Sequence, residues 1–321
     1  MRSREFPARP HHRRALFLVA GAFVLLVLGG MTYACYSLSF LWTDETDEDV
    51  AHAIGEGGQT VRSFFEMDDE GEEALEADLE LALGRVTAAR AEAGALFQAE
   101  VDIIEGLRPR FEQSTRGGQA HIELGLEGGD MPLGRVRSSR SNAWRLYFSD
   151  QTPLNLTLSL GAAEADLDFS GIPLERLDLD CGMAKAAIRF TEANPVVMER
   201  LDIEAGLTEF AVRGLGFARF ERFEFDGGAG DFTLDFTGDA FQPGASAEVD
   251  VGMASLTVLL PTGQPIVLDA PSSFMTKVEV PSAFVRLGDD RWGTTGADTD
   301  RSAFRLDIDA GPGNVQVRLV E

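Results

Sequence analysis

The chain has 321 residues, 44% of them hydrophobic, which is apolar mass enough for one large core or two modest ones. A formal charge of −25 argues against nucleic acid as a partner. Two cysteines cannot build a disulfide framework, and four histidines spread over positions 11, 12, 52 and 121 offer neither a metal cluster nor a histidine-based triad, so no metal or cofactor is expected.

The N-terminus is basic, with Arg2, Arg4, Arg9, Arg13 and Arg14 beside His11 and His12. Residues 15–42 then contain no Asp, Glu, Lys, Arg or His. A membrane span needs about 20 apolar residues, and Ala15–Tyr36 supplies them. Asp44, Glu45, Asp47, Glu48 and Asp49 follow, so the basic N-terminus (residues 1–14) is expected in the cytoplasm and the body outside it. Tyr33, Tyr36 and Trp42 suit an interfacial aromatic belt. Thr32-Tyr33-Ala34 is a poor cleavage site and the apolar run is long for a leader, so a retained single-pass anchor is preferred to a cleaved signal peptide. A lipoprotein cleaved before Cys35 would place Thr32 where an aliphatic residue is expected.

Residues 37–58 form an acidic linker, and from Gln59 to Glu321 the chain reads as one all-β domain. Strand-like pieces run over 60–65, 75–89, 96–103, 121–126 and 144–148. The stretch 72–111 is rich in Ala, Glu, Leu and Arg, and propensity alone would make it a helix. Leu79, Leu81 and Leu83 alternate, however, and we read it as strand.

The clearest pattern spans Leu154–Leu260. It repeats on Gly161, Gly182, Gly206, Gly228 and Gly252, at spacings of 21, 24, 22 and 24 residues, and returns at Gly311. Before each glycine, apolar and polar residues alternate, as in Leu177, Leu179, Cys181 and in Leu201, Ile203, Ala205. After it the alternation resumes with inverted parity, as in Ala184, Ala186, Ile188 and in Phe232, Leu234, Phe236. A one-residue slip would normally turn the apolar face outward. A glycine corner absorbs the slip and keeps both halves on one core. Two residues beyond the glycine the side chain is always small: Ala163, Ala184, Thr208, Gly230, Ala254 and Gly313. Residues 82–88 fit the same pattern, with Ala82 in the glycine place and Gly84 at the small site. Such units bury their faces only when stacked, so the expectation is a β-solenoid of glycine-kinked coils, preferred to an antiparallel sandwich because equivalent residues recur in register. Cys181 falls in the core. Residues 271–302 interrupt the array with short strands at 277–280 and 284–287 and a hairpin turn at 288–293, and the last coil, 304–320, is expected to close the stack.

The outward positions carry a second pattern. Arg176, Asp178, Asp180 are followed by Arg200, Asp202, Glu204, then Arg222, Glu224, Asp226, then Arg305, Asp307, Asp309. Like charges stacked between strands repel, and an arginine ladder beside acidic ladders offsets part of that. Arg176, Asp178, Arg200, Asp202, Arg222 and Glu224 are the candidate interaction face. Every coil has a carboxylate pair such as Asp166 and Asp168, so no one pair stands out as hydrolytic.

The segment Leu158–Leu177, read Leu-Ser-Leu-Gly-Ala-Ala-Glu-Ala-Asp-Leu-Asp-Phe-Ser-Gly-Ile-Pro-Leu-Glu-Arg-Leu, resembles the bacterial toastrack β-solenoid group. Gly228-Ala229-Gly230-Asp231-Phe232 and the lead-in Asn142–Leu160 carry the same likeness. That group includes C-terminal domains of LiaF-like cell-wall-active-antibiotic response proteins and adhesin-like domains. The resemblance implies a toastrack-like fold over 59–321 and brings no catalytic residues. The expected role is a non-enzymatic, membrane-anchored, extracytoplasmic scaffold that meets an envelope protein or a copy of itself. The alternative is an adhesin-like module binding cell-wall or surface polymer.

Overall fold

Alternating burial produces most of the strands. In the N-terminal part they are β1 (Thr60–Asp68), β2 (Ala74–Arg90), β3 (Ala95–Ile104), β4 (Pro109–Arg116), β5 (Gln119–Leu126) and β6 (Ala143–Phe148). The array follows as β7 (Leu154–Asp168), β8 (Leu174–Arg189), β9 (Met198–Arg213), β10 (Phe220–Asp235) and β11 (Ser246–Pro261). The chain ends with β12 (Ile266–Asp269), β13 (Thr276–Glu279), β14 (Val285–Arg286), β15 (Arg291–Gly293), β16 (Phe304–Ala310) and β17 (Gly313–Val320). This computed structural model describes residues 60–127, 142–273, 275–297 and 299–320. The expected span at 15–36, the linker at 37–58 and Cys35 lie outside the described residues. No helix among the described residues is long and apolar enough to cross a membrane.

The stack β2–β7–β8–β9–β10–β11 is parallel and in register: Leu177 faces Leu201, Leu201 faces Phe223, and Phe223 faces Ala247. The antiparallel sandwich is thereby excluded for the array. Each long strand bends at its corner, so its first half lies in one wall and its second half in another. The bent strands join all seventeen into one hydrogen-bonded sheet. In β8, Leu177, Leu179 and Cys181 are buried, Gly182 and Met183 both face out, and burial resumes at Ala184, Ala186 and Ile188. Two successive outward residues are what inverts the parity.

The corner glycines are needed for space rather than for a left-handed backbone: none of Gly161, Gly182, Gly206, Gly228, Gly252 and Gly311 has a positive φ. A Cβ on Gly206 would lie 2.6 Å from the Gly182 carbonyl oxygen, and one on Gly252 would lie 2.4 Å from that of Gly228. Backbones of successive coils therefore touch at the corner. Ala82 occupies the equivalent place in β2, and Gly161 stacks on its carbonyl oxygen, where a Cβ would approach to 2.3 Å. Ala82 keeps its own methyl because β5, on its other side, pairs only as far as Leu79.

Inside, aromatic rings fill the C-terminal half of the core, with Phe220 and Phe236 touching each other and both Phe223 and Phe304 at centroid distances of 5.2–6.4 Å. Between coils, buried Asn194 acts as a clamp. Its Nδ2 donates to the Leu174 carbonyl of the preceding coil (2.7 Å) and to the Ala218 carbonyl of the following one (3.2 Å).

Both ends depart from chain order. At the N-terminal end, β5 and β6 lie outside β2, and antiparallel β4, β3 and β1 extend them. At the other end β16 and β17 pair with β11, and β12 and β13 lie beyond them. The coil 304–320 is thus inserted one place in and does not close the stack. The segment 271–302, expected as an interruption, contributes to the cover: β13 pairs with β17, β15 runs antiparallel to β12, and β14 follows β15. Arg291–Gly293, expected within a turn, is strand β15. Short antiparallel strands end the sheet without presenting a long flat parallel edge.

Candidate interaction face

The first halves of β7–β11, with β16, form one wall of the solenoid. Alternation sends every second side chain outward, and in-register stacking turns those side chains into columns. The first column runs Asn155, Arg176, Arg200, Arg222, Ser246, Arg305. The second runs Thr157, Asp178, Asp202, Glu224, Glu248, Asp307, and the third Ser159, Asp180, Glu204, Asp226, Asp250, Asp309. All six residues of the expected face lie together in the first two columns.

Charge compensation is uneven along this wall. Arg200 pairs with Asp202 and, at 3.0 Å, with Glu224, while Arg176 reaches Glu199 at 3.4 Å. The arginine column is interrupted at Ser246, between Arg222 and Arg305. The third column has no ion pair among the described residues. Burial, then the neighbouring Asp226, Asp309, Glu248 and Asp307, push the Asp250 carboxyl above the usual carboxylate range. Burial and the nearby Asp269 and Asp309 do the same to Asp307. Free negative charge is therefore concentrated on the third column toward β11 and β16.

That column forms one side of an open groove whose floor includes Gly182, Gly206, Gly228 and Gly252. The residues just after the corner glycines are Ala162, Met183, Leu207, Ala229 and Met253, with Leu207, Ala229 and Met253 in register between neighbouring coils. Met183, Leu207 and Met253 are 61%, 47% and 60% exposed. This apolar ridge was not part of the expected face. The corner-plus-one positions are apolar in the sequence and could have revealed it, but no buried partner explains their pattern there.

The other wall differs. Its outward charges pair across coils: Lys185 with Glu209 at 3.0 Å, Arg85 with Glu164 at 3.1 Å, and Arg189 with Asp166 at 2.7 Å and Asp168 at 3.0 Å. It offers a neutralised surface. Cys181 lies in the core behind the groove, and burial, with Asp180 nearby, pushes its thiol up to about 12, so it supplies no nucleophile. His121, expected to stand alone, instead has Glu76, Asp78 and Glu123 around it.

Residues 56–213 match the family model for the N-terminal domain of toast_rack, DUF2154. No curated protein matches the chain. Among solved structures, a candidate cell adhesion protein of Clostridium sporogenes aligns at 16% identity and a TM-score of 0.42, over 82% of this chain and 100% of that one. A candidate adhesin of Bacteroides fragilis aligns at 12% identity and a TM-score of 0.36, over 81% of this chain and 97% of that one.

Proposed function

Since this chain belongs to the toastrack group through its residues 56–213, we propose that it is a non-enzymatic, membrane-tethered extracytoplasmic scaffold docking a protein partner along the acidic groove and its apolar ridge. One observation carries this reading: a column of carboxylates without an ion pair among the described residues, Asp180, Glu204, Asp226, Asp250 and Asp309, lines the groove over the corner glycines, and the exposed side chains Met183, Leu207 and Met253 directly follow those glycines in the chain. Monomeric surfaces rarely leave such apolar side chains in line, and charge repulsion along the column is relieved by a cationic partner.

The repeat also selects the partner's form. Coils recur about every 4.8 Å. An α-helix lying along the stack presents one turn about every 5.4 Å, whereas an extended strand repeats a face about every 6.8 Å. A helix with adjacent basic and apolar faces therefore matches the stripe coil by coil, its basic side on the carboxylates and its apolar side on the methionines. The adhesin-like alternative needs exposed rings for sugars to stack on, and Phe64 alone among the described aromatics is exposed.

A photo-crosslinker at Met253 in cells, with adducts identified by mass spectrometry, tests the reading. It should capture a protein through a basic amphipathic helical segment. Capture of wall polymer, or of a second copy of this chain, would overturn it in favour of adhesion or self-association.

A further inference from the structure

The geometry points to a zinc site on Glu76, Asp78 and His121, at the N-terminal end of the wall and separate from the groove. The three residues lie on adjacent parallel strands: His121 of β5 is directly opposite Glu76 of β2, and Asp78 follows two places on, facing the same way. One ligand atom from each lies within 4.8 Å of the others. His121 Nδ1 is 3.7 Å from a Glu76 oxygen and 3.9 Å from an Asp78 oxygen. Both distances are too long for hydrogen bonds. They exceed by only a few tenths of an ångström the roughly 3.4 Å separation of neighbouring ligands in a tetrahedral zinc site with bonds near 2.1 Å. The two carboxylates thus straddle a ring nitrogen that has no hydrogen-bond partner among the described residues.

The other ring nitrogen is accounted for. His121 Nε2 lies 3.4 Å from Glu123 Oε1, and Arg110 Nη2 donates to Glu123 Oε2 at 3.0 Å. Arg110, which also reaches Glu112 at 3.4 Å, orients Glu123, and Glu123 holds the Nε2–H tautomer and aims Nδ1 at the two carboxylates. A carboxylate behind a histidine ligand is a recurrent outer shell of zinc sites. Two carboxylates and a neutral imidazole balance a divalent charge. Imidazole suits zinc and the neighbouring transition metals, whereas calcium and magnesium take oxygen ligands. All ligands stand on paired strands rather than loops, so little ordering is needed on binding.

The test is calorimetric titration of the full chain in detergent with zinc chloride after chelator treatment, with cobalt absorption as the spectroscopic readout. The expected result is one high-affinity zinc per chain, undisplaced by excess calcium or magnesium and lost in His121→Ala. Glu123→Gln, which leaves the three ligands in place, should weaken binding about 10- to 100-fold. Equal melting of wild type and His121→Ala in chelator would show that the fold is intact. Zinc uptake unchanged in His121→Ala, equal uptake of all divalent ions, or no uptake by the wild type would overturn the proposal.

Discussion

Corner glycines decide whether coils can stack, and they are not equivalent. A Cβ on Gly252 would stand 2.4 Å from the Gly228 carbonyl oxygen, whereas one on Gly182 would stand 3.2 Å from that of Gly161. Gly252→Ala should therefore destabilise the solenoid by about 1–3 kcal/mol, the usual range for overpacking, and Gly182→Ala by clearly less. Thermal melts of the two variants measure the difference, and equal melting would contradict backbone contact as the reason for glycine. Asp250 gives a second residue-level expectation. Its pKa is raised in the fold by burial and by neighbouring carboxylates, so ionisation favours the unfolded chain. That penalty is fully present above the folded pKa and fades as pH falls toward the ordinary carboxylate value. Asp250→Asn should melt higher than wild type at pH 7, with the gap closing as the pH approaches about 4. A gap that widened on acidification would contradict the assignment.

At the scale of elements, the sequence is most readable where burial is periodic. The helix-like composition of 72–111 yields to strands because Leu75, Ala77, Leu79 and Leu81 all face the core, and packing outweighs intrinsic propensity. Inverted parity after each glycine is likewise visible before any coordinates. Three strands are not, among them β15, which the sequence places in a turn. In β4, only Pro109 and Phe111 are even partly buried, so it shows no apolar face, and β12 is four residues long with three consecutive buried side chains. The order of coils at the C-terminal end is also hidden, because periodicity records which face is buried but not which strand lies alongside. β16 and β17 occupy the place between β11 and the β12–β13 cover. Deleting 304–320 should therefore strip hydrogen-exchange protection from 266–269 and 291–293 as well. Continued protection of those segments would mean that the cover folds without the inserted coil.

Over the whole molecule, excess negative charge is resolved differently on the two walls. One neutralises itself through pairs such as Lys185–Glu209. The other leaves the Asp180–Asp309 column without an ion pair among the described residues, and Met183, Leu207 and Met253 stand exposed just past the corner glycines. The candidate face was half legible in the sequence: the arginine and acidic ladders announce themselves by spacing, but the groove over Gly182, Gly206, Gly228 and Gly252 arises only when the coils stack. The tether proposed for residues 15–36 carries its own expectation. A C-terminal enzymatic reporter should be active outside the cytoplasm, and cytoplasmic activity would reverse the topology.

The most direct test of the docking stripe compares Met253 photo-crosslinking in cells between the wild-type background and the double variant Asp226→Arg/Asp250→Arg, with Glu209→Arg as a control on the neutralised wall. The stripe predicts that the partner adduct disappears in the double variant and persists in the control, with all three proteins equally folded by melting. Persistence of the adduct after charge reversal, or its loss only in Glu209→Arg, would contradict docking through the acidic groove.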